Sequence, residues 1–318
     1  MSPKVAAFVF CSPNMNASGS FRRTRIAPTP SGYLHPGNIL SFVVTAGLAR
    51  RHGAEILLRI DDLDQPRVRR EYVEDIFETL RFLSIPWDLG PRDTDDLLRG
   101  HSQLKRMDVY RDALAYLKEQ DAVFACACSR SQLAAISPGE GYPGTCQHLR
   151  LSLDVSGYAW RLKTPSDKMI RMQDLRDGVQ TFTLPASMKC VQVRRKDGYP
   201  AYQLASVMDD IRFGVDLVVR GADLHDSTLA QLCLSAMLPD NHFADTVFLH
   251  HQLLTGLSGE KLSKSAGAGS VGLLRRQGHD ARDIFSMIAG SVGSTERPDN
   301  WEALFELLAA EGGMLSTL

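Results

Sequence analysis

Two stretches of this chain carry residue types suited to handling a polyphosphate. In Thr24–Asn38, TRIAPTPSGYLHPGN, Gly32 and Gly37 allow a backbone to approach a ligand closely, and a helix starting at Gly37 would turn its positive end toward the turn. His35 stands on the lip of that turn, where an imidazole can donate a hydrogen bond to a phosphoryl oxygen. Far along the chain, GEKLSKS (Gly259–Ser265) offers Lys261 and Lys264 from a glycine-flanked loop. Either stretch alone fits plain structure or a solvated basic loop. Together they describe a site that grips a nucleoside triphosphate from two sides and stabilises charge on a five-coordinate α-phosphate. A third group has different chemistry. Cys126 and Cys128 in CAC, with Cys146 in YPGTCQH (Tyr142–His148), are material for a structural zinc site, and ligand chemistry alone favours His148 as the fourth ligand.

These groups need a scaffold, and the chain supplies an α/β one. A strand from Arg25, a Pro/Gly turn, a helix from about Gly37 closed by Gly53, and the apolar run Ala54–Ile60 make a βαβ unit. Tyr72, Val73, Ile76, Phe77, Leu80 and Leu83 recur at helical spacing up to Pro86. After a helix over 101–120, the Cys- and Gly-containing loop 126–146 and short strand-like stretches such as QTFTL break the alternation. It resumes with a helix around PAYQLASVMDDIRFG, a buried strand VDLVVRG and a helix STLAQLCLSAML, and WEALFELLAAEGG is the one clear helix of the tail. The reading is a Rossmann-like parallel-sheet catalytic domain with an inserted zinc-bearing subdomain. Its parts are an extension (1–23), the first half of the catalytic domain (24–100), the insertion (101–195), the second half (196–265) and a short helical tail (266–318).

Composition narrows the class. A formal net charge of −1 argues against a globally basic nucleic-acid binder, although Arg22-Arg23, Arg67 to Arg70 and Arg194-Arg195-Lys196 provide local patches. No apolar run of about 18 residues exists, so no membrane span is expected. Six cysteines in 318 residues are too few for a disulfide scaffold and point to the reducing cytoplasm. Nothing in the sequence implies a protein partner.

The two phosphate-handling stretches resemble the two signature motifs of class I aminoacyl-tRNA synthetases, in the glutamyl branch, and the resemblance runs from Arg25 to about Ser265. Within that branch, LLRIDDLDQPR (57–67), AYQLASVMDD (201–210) and RGADLHDST (220–228) are similar to a short paralogue that places glutamate on queuosine in the anticodon loop of tRNA(Asp). Only residues 266–318 follow the lysine loop, whereas an anticodon-reading domain needs roughly 100 or more, which favours the short paralogue over a full tRNA(Glu)-charging enzyme.

The resemblance implies ATP and L-glutamate as substrates, Mg2+ with the ATP, one structural Zn2+, and tRNA(Asp) carrying queuosine as partner. It places His35, Gly37, Asn38, Lys261 and Lys264 at ATP, with His35 and Lys264 catalytic. Arg25 and Arg220 would clamp the two carboxylates of glutamate, Tyr202 would hydrogen-bond it, Asp61 would face its ammonium, and Ala27 and Thr29 would complete its site. The family pattern of C-x-C followed by Y-x-x-x-C makes Tyr142, in place of His148, the fourth zinc ligand beside Cys126, Cys128 and Cys146. Two positions depart from the pattern: Asp61 stands where glutamate is usual, and Asn38 where many class I enzymes have a second histidine.

Overall fold

The computed structural model describes residues 20–136, 141–165, 169–239, 241–254, 269–310 and 315. Its first unit is β1 (Arg23–Ile26), α1 (Pro36–His52) and β2 (Glu55–Leu58), with β1 and β2 parallel and Arg25 opposite Leu57. α2 (Arg70–Phe82) follows, then a single turn α3 (Thr94–Asp96) and α4 (Met107–Glu119). Next come β3 (Val123–Cys126), α5 (Arg130–Ile136), β4 (Ala159–Leu162), β5 (Met169–Asp174), β6 (Gly178–Thr183) and β7 (Gln192–Arg194). The chain returns through α6 (Tyr202–Phe213), β8 (Leu217–Gly221), α7 (His225–Ser235) and β9 (Val247–His251), and closes with α8 (Val271–Arg276), α9 (Ala281–Ser291) and α10 (Trp301–Ala309).

β8 and β9 pair in parallel, β9 and β5 pair in parallel, and β6 is added antiparallel at the far edge. Asp216 joins the two parallel groups. Its carboxylate accepts from the backbone N–H groups of Arg22 (2.8 Å) and Arg23 (2.9 Å), and its own N–H donates to the Arg23 carbonyl (3.1 Å). β1, β2 and β8 therefore end together, where open parallel sheets bind ligands. β5 and β6 lie within the stretch read from sequence as the insertion, yet they extend the sheet at β9. A separate antiparallel sheet, β3-β4-β7, carries Cys126 at the end of β3.

Among the described residues the tail holds three helices where the sequence offered one clear one. α9 and α10 pack on α1, burying Ile284, Phe285, Ile288, Trp301, Leu304 and Phe305 with Leu40 and Leu48. Gly47 makes this approach possible, since a Cβ there would lie 2.1 Å from Phe305 Cγ. With the sheet on one side and the tail on the other, α1 is apolar nearly all round, as buried helices are.

Candidate active site

A cavity of about 410 Å³ opens at the C-terminal ends of β1 and β8, against the start of α1. Arg25, Ala27, Thr29, His35, Asn38, Asp61, Tyr202 and Arg220, expected from sequence to share a site, all line it; Gly37 adjoins it in the first turn of α1. Arg25 and Arg220 are almost fully buried, at 5% and 4% exposure. Arg25 Nη1 donates to the Val219 carbonyl (3.1 Å), and Arg220 Nη1 donates to Gln231 Oε1 (2.8 Å) and Thr228 Oγ1 (3.2 Å). Arg220 Nε and Nη2 are buried with no hydrogen-bond acceptor among the described residues, and Arg25 Nε makes no aligned hydrogen bond, its nearest carboxylate being Asp210 Oδ1 at 3.4 Å. Such donors cost free energy until an acceptor arrives, and a carboxylate is the matching one. Burial pulls Arg25 down to about 10 against the opposing pull of Asp210, with the Arg220 and Arg59 charges adding to the depression. Tyr202, half exposed in the first turn of α6, stands at the mouth.

His35 also has a structural task that sequence reasoning did not assign. It is the N-cap of α1: its Nδ1 accepts from the Gly37 N–H (3.1 Å), while Asn38 Oδ1 accepts from the His35 N–H (3.0 Å). The first N–H groups of the helix, read as free for a phosphate, are thus already engaged. Asn38, expected at ATP, closes this capping box with its oxygen, and its amide nitrogen is not part of the box. Gly37 serves the ring, because a Cβ there would sit 3.0 Å from His35 Nδ1 and Cε1. The arrangement also fixes the tautomer. With Nδ1 accepting, the neutral imidazole carries its proton on Nε2, the atom that can donate to an anion in the cavity.

Asp61 is held from behind. Arg59 Nε lies 2.7 Å from Asp61 Oδ1 and Arg59 Nη2 3.1 Å from Oδ2, a bidentate pair. Burial raises the Asp61 carboxyl and the Arg59 charge pulls it back. Arg59 Nη1 also donates to Asp210 Oδ1 (2.6 Å). Behind these, Asp209 accepts from Arg106 Nε (2.9 Å) and Nη2 (2.7 Å), Gln103 Nε2 (3.0 Å) and the Tyr110 hydroxyl (2.7 Å). Sequence reasoning assigned no role to Arg59, Asp209 or Asp210. The available signal was two adjacent acids in α6 and an arginine closing an apolar strand, each of which needs a partner once buried. His250 is a further omission. It is buried on β9, its Nε2 meets Thr228 Oγ1 (2.8 Å), and burial, with the Arg220 charge, holds it neutral down to about 3. Lys261 and Lys264 lie outside the described residues.

Residues 22–300 match the family model for the catalytic domain of tRNA synthetases class I (E and Q). The chain belongs to this class I synthetase family, a family of ligases. It is 38% identical over 293 residues to a glutamyl-Q tRNA(Asp) synthetase from Symbiobacterium thermophilum, covering 86% of this chain and 88% of the relative. Relatives of the same name from Nitratidesulfovibrio vulgaris (36% over 286 residues, 85% and 87% covered) and Prochlorococcus marinus (34% over 309, 93% and 91%) are similar. Among solved structures, the glutamate tRNA ligase from Elizabethkingia meningosepticum in complex with its amino acid shares the fold, with a TM-score of 0.69 at 21% identity, over 90% of this chain. The glutamate-tRNA synthetase from Elizabethkingia anophelis does likewise (TM-score 0.70, 20% identity). This chain spans 64% and 65% of those two chains, slightly less than two thirds.

The synthetase carries its cysteine group beside this site. The sulfurs of Cys126, Cys128 and Cys146 lie within 4.8 Å of one another, with Cys128 and Cys146 at 3.4 Å. Tetrahedral thiolates on zinc at 2.3 Å stand about 3.8 Å apart, so this donor set fits such an ion. Tyr142 is at the cluster, its Oη accepting from the Cys146 N–H (2.8 Å), and the Arg161 guanidinium lies 4.0 Å above its ring. His148 is exposed and outside the group. Burial works against ionisation of Cys146, but hydrogen bonding by Tyr142 and neighbouring groups brings it down to about 7. A second cavity of about 1150 Å³ runs from this cluster to the first, sharing Thr29, Asp61, Tyr202 and Ser206 with it. Arg67, Arg161, Lys189, Arg195 and Lys196 line it.

Proposed function

We propose that this protein uses ATP to activate L-glutamate as glutamyl adenylate and then transfers the glutamyl group to queuosine in the anticodon loop of tRNA(Asp). The observation that carries the first half is the pair of buried arginines, Arg25 and Arg220, that line one cavity, Arg220 with Nε and Nη2 lacking an acceptor among the described residues. A ligand with two carboxylates meets them, and Asp61, kept ionised by Arg59, attracts its ammonium. An α-carboxylate oxygen attacks the α-phosphorus of ATP, the bond to the bridging oxygen breaks, and pyrophosphate leaves. His35 Nε2–H and, by motif, Lys261 and Lys264 stabilise the charge that builds on the phosphoryl oxygens. Mg2+ accompanies the triphosphate.

The acceptor half rests on the names of the relatives and on the second cavity. That space is too large for an amino acid, opens onto the first at Tyr202, and is lined by five cationic side chains against three carboxylates, with Arg67 and Arg195 paired to Asp64 and Asp197 and Arg161, Lys189 and Lys196 outside those pairs. It suits a nucleoside delivered with its phosphates. We assign Cys126, Cys128, Cys146 and Tyr142 to one structural Zn2+, which would brace the wall of this cavity. The chemistry belongs in the cytoplasm, which the five free thiols among the described residues suit.

Glutamate-dependent exchange of pyrophosphate into ATP, then transfer to tRNA(Asp) with and without queuosine, tests both halves. Exchange with transfer only to the queuosine-containing tRNA is the expected result. Transfer to tRNA(Glu) instead would make this a truncated glutamyl-tRNA synthetase, and no exchange at all a silent tRNA-binding paralogue.

A further inference from the structure

Arg59, which lines the cavity and so far only holds Asp61, touches Asp210, which has no role in the reaction as described so far. Arg59 leaves the end of β2 at 3% exposure; Asp210 lies on α6 at 0%. A single oxygen, Asp210 Oδ1, stands 2.6 Å from Arg59 Nη1 and 3.4 Å from Arg25 Nε. Asp210 Oδ2 is buried with no hydrogen-bond partner among the described residues. This carboxylate therefore acts on the pocket through charge more than through satisfied hydrogen bonds.

Among the described residues, the buried charges that line the cavity or belong to the chain of ion pairs behind them can be counted; Asp75, whose carboxylate accepts from the N–H of Leu34 on the rim, answers instead to Arg275 and Arg276. Arg25, Arg59 and Arg220 are positive, Asp61 and Asp210 negative, and the Arg106–Asp209 pair behind them cancels. The pocket carries one net positive charge. An amino acid with a second carboxylate carries one net negative charge and brings the total to zero; its amide carries none and leaves a buried cation unbalanced. In a poorly screened interior that difference outweighs the near identity in shape of the two ligands.

We propose that Arg59 and Asp210 together set the net charge of the amino-acid pocket, and that this sum, beyond direct contacts to Arg25 and Arg220, makes the site select an acid over its amide. The proposal rests on the glutamate reading above and adds two residues that hold and balance the others without requiring contact with the substrate themselves. It predicts compensation: removing Arg59 alone weakens the preference for the acid over its amide, and removing both restores the original sum.

The experiment measures kcat/KM for pyrophosphate exchange with glutamate and with glutamine, with tRNA present and absent, alongside the melting temperature of each variant. Arg59→Gln should lower the glutamate-to-glutamine ratio by about 100-fold, chiefly through KM for glutamate, as a specificity effect requires. Arg59→Lys keeps the charge and should hold the ratio near wild type. Asp210→Asn adds a net positive charge and should raise the ratio about 10-fold, which tests the idea even if Arg59→Gln does not fold. The double variant should return the ratio to within about 10-fold of wild type, a non-additive outcome expected of coupled charges. Variants that lose activity toward both amino acids equally, with the ratio unchanged, would overturn the proposal and leave Arg59 and Asp210 as structural. Wild-type protein that activates neither amino acid would instead remove the glutamate reading on which it stands.

Discussion

The amino-acid pocket and the cysteine cluster sit on one continuous cleft but are held in opposite ways. The pocket rests on three parallel strands over an extensive core, and its charged groups are fixed by each other: Arg59 by Asp61 and Asp210, Asp209 by Arg106, Gln103 and Tyr110. Among the described residues the cysteine cluster packs with buried Phe124, Ala159 and Cys190 and partly buried Tyr142 and Leu151, a far smaller apolar group. Three thiols converge there with few other bonds to hold them, which is where a metal contributes most to folding. A site built on a core can be pre-formed without its ligand; a site without one needs an ion to define it.

Four changes would break or sharpen this contrast. The largest effect should come from Arg220→Gln, which removes a buried cation facing the cavity. Glutamate-dependent exchange should fall roughly 1000-fold with little change in thermal stability, and a chelator should not mimic it. A small loss of exchange would mean that Arg220 is not a carboxylate clamp. Next, Asp209→Asn leaves Arg106 buried without its charge partner and should destabilise the chain by about 3–5 kcal/mol in urea unfolding. A cost under about 1 kcal/mol would show that the pocket's charges do not hold one another as described.

Removing metal, by chelation or Cys126→Ser, should act on the other region alone. Protection of residues 126–165 from proteolysis should drop by roughly 2.7 kcal/mol, the stabilisation given by an ion at 100 times its dissociation constant. Glutamate exchange should persist while transfer to tRNA weakens; loss of both together would show the two regions to be one cooperative unit. The smallest stability effect belongs to Tyr142→Phe, which deletes the acceptor for the Cys146 N–H and should cost about 1 kcal/mol. Zinc retention should weaken in that variant and stay unchanged in His148→Ala; the reverse would exchange their roles.

Much of this was legible in the chain. The βαβ unit followed from apolar runs interrupted by Pro and Gly, and the α/β fold from their alternation, because both depend on local periodicity. Arg25, His35, Asp61, Tyr202 and Arg220 were identified as site residues by motif, and the structure lines one cavity with them. β9 was missed since VFLHH puts two histidines in a strand, and the partners that let His250 and His251 be buried there, among them Thr228, Ser41 and the Gln252 carbonyl, are visible in the fold. α9 had local signals that went unread, a capping box at Asp280 and apolar Ile284, Phe285 and Ile288 at helical spacing, whereas nothing local says that Gly47 will receive Phe305 of α10.

By itself the sequence determined what is encoded locally: which segments are strands and helices, which residue types could meet a phosphate, a carboxylate or a metal, and that three cysteines were spaced to meet. Tertiary structure decided how those residues are employed. It turned His35 into a helix cap with its proton on Nε2, spent Asn38 on the same cap, and placed Arg59 between Asp61 and Asp210, which are 2 and 151 positions away. The physical reason is that a buried charge has no fixed meaning until its partners are known. Those partners come from strands and helices far apart in sequence, so the charge of the pocket exists only once the sheet has closed.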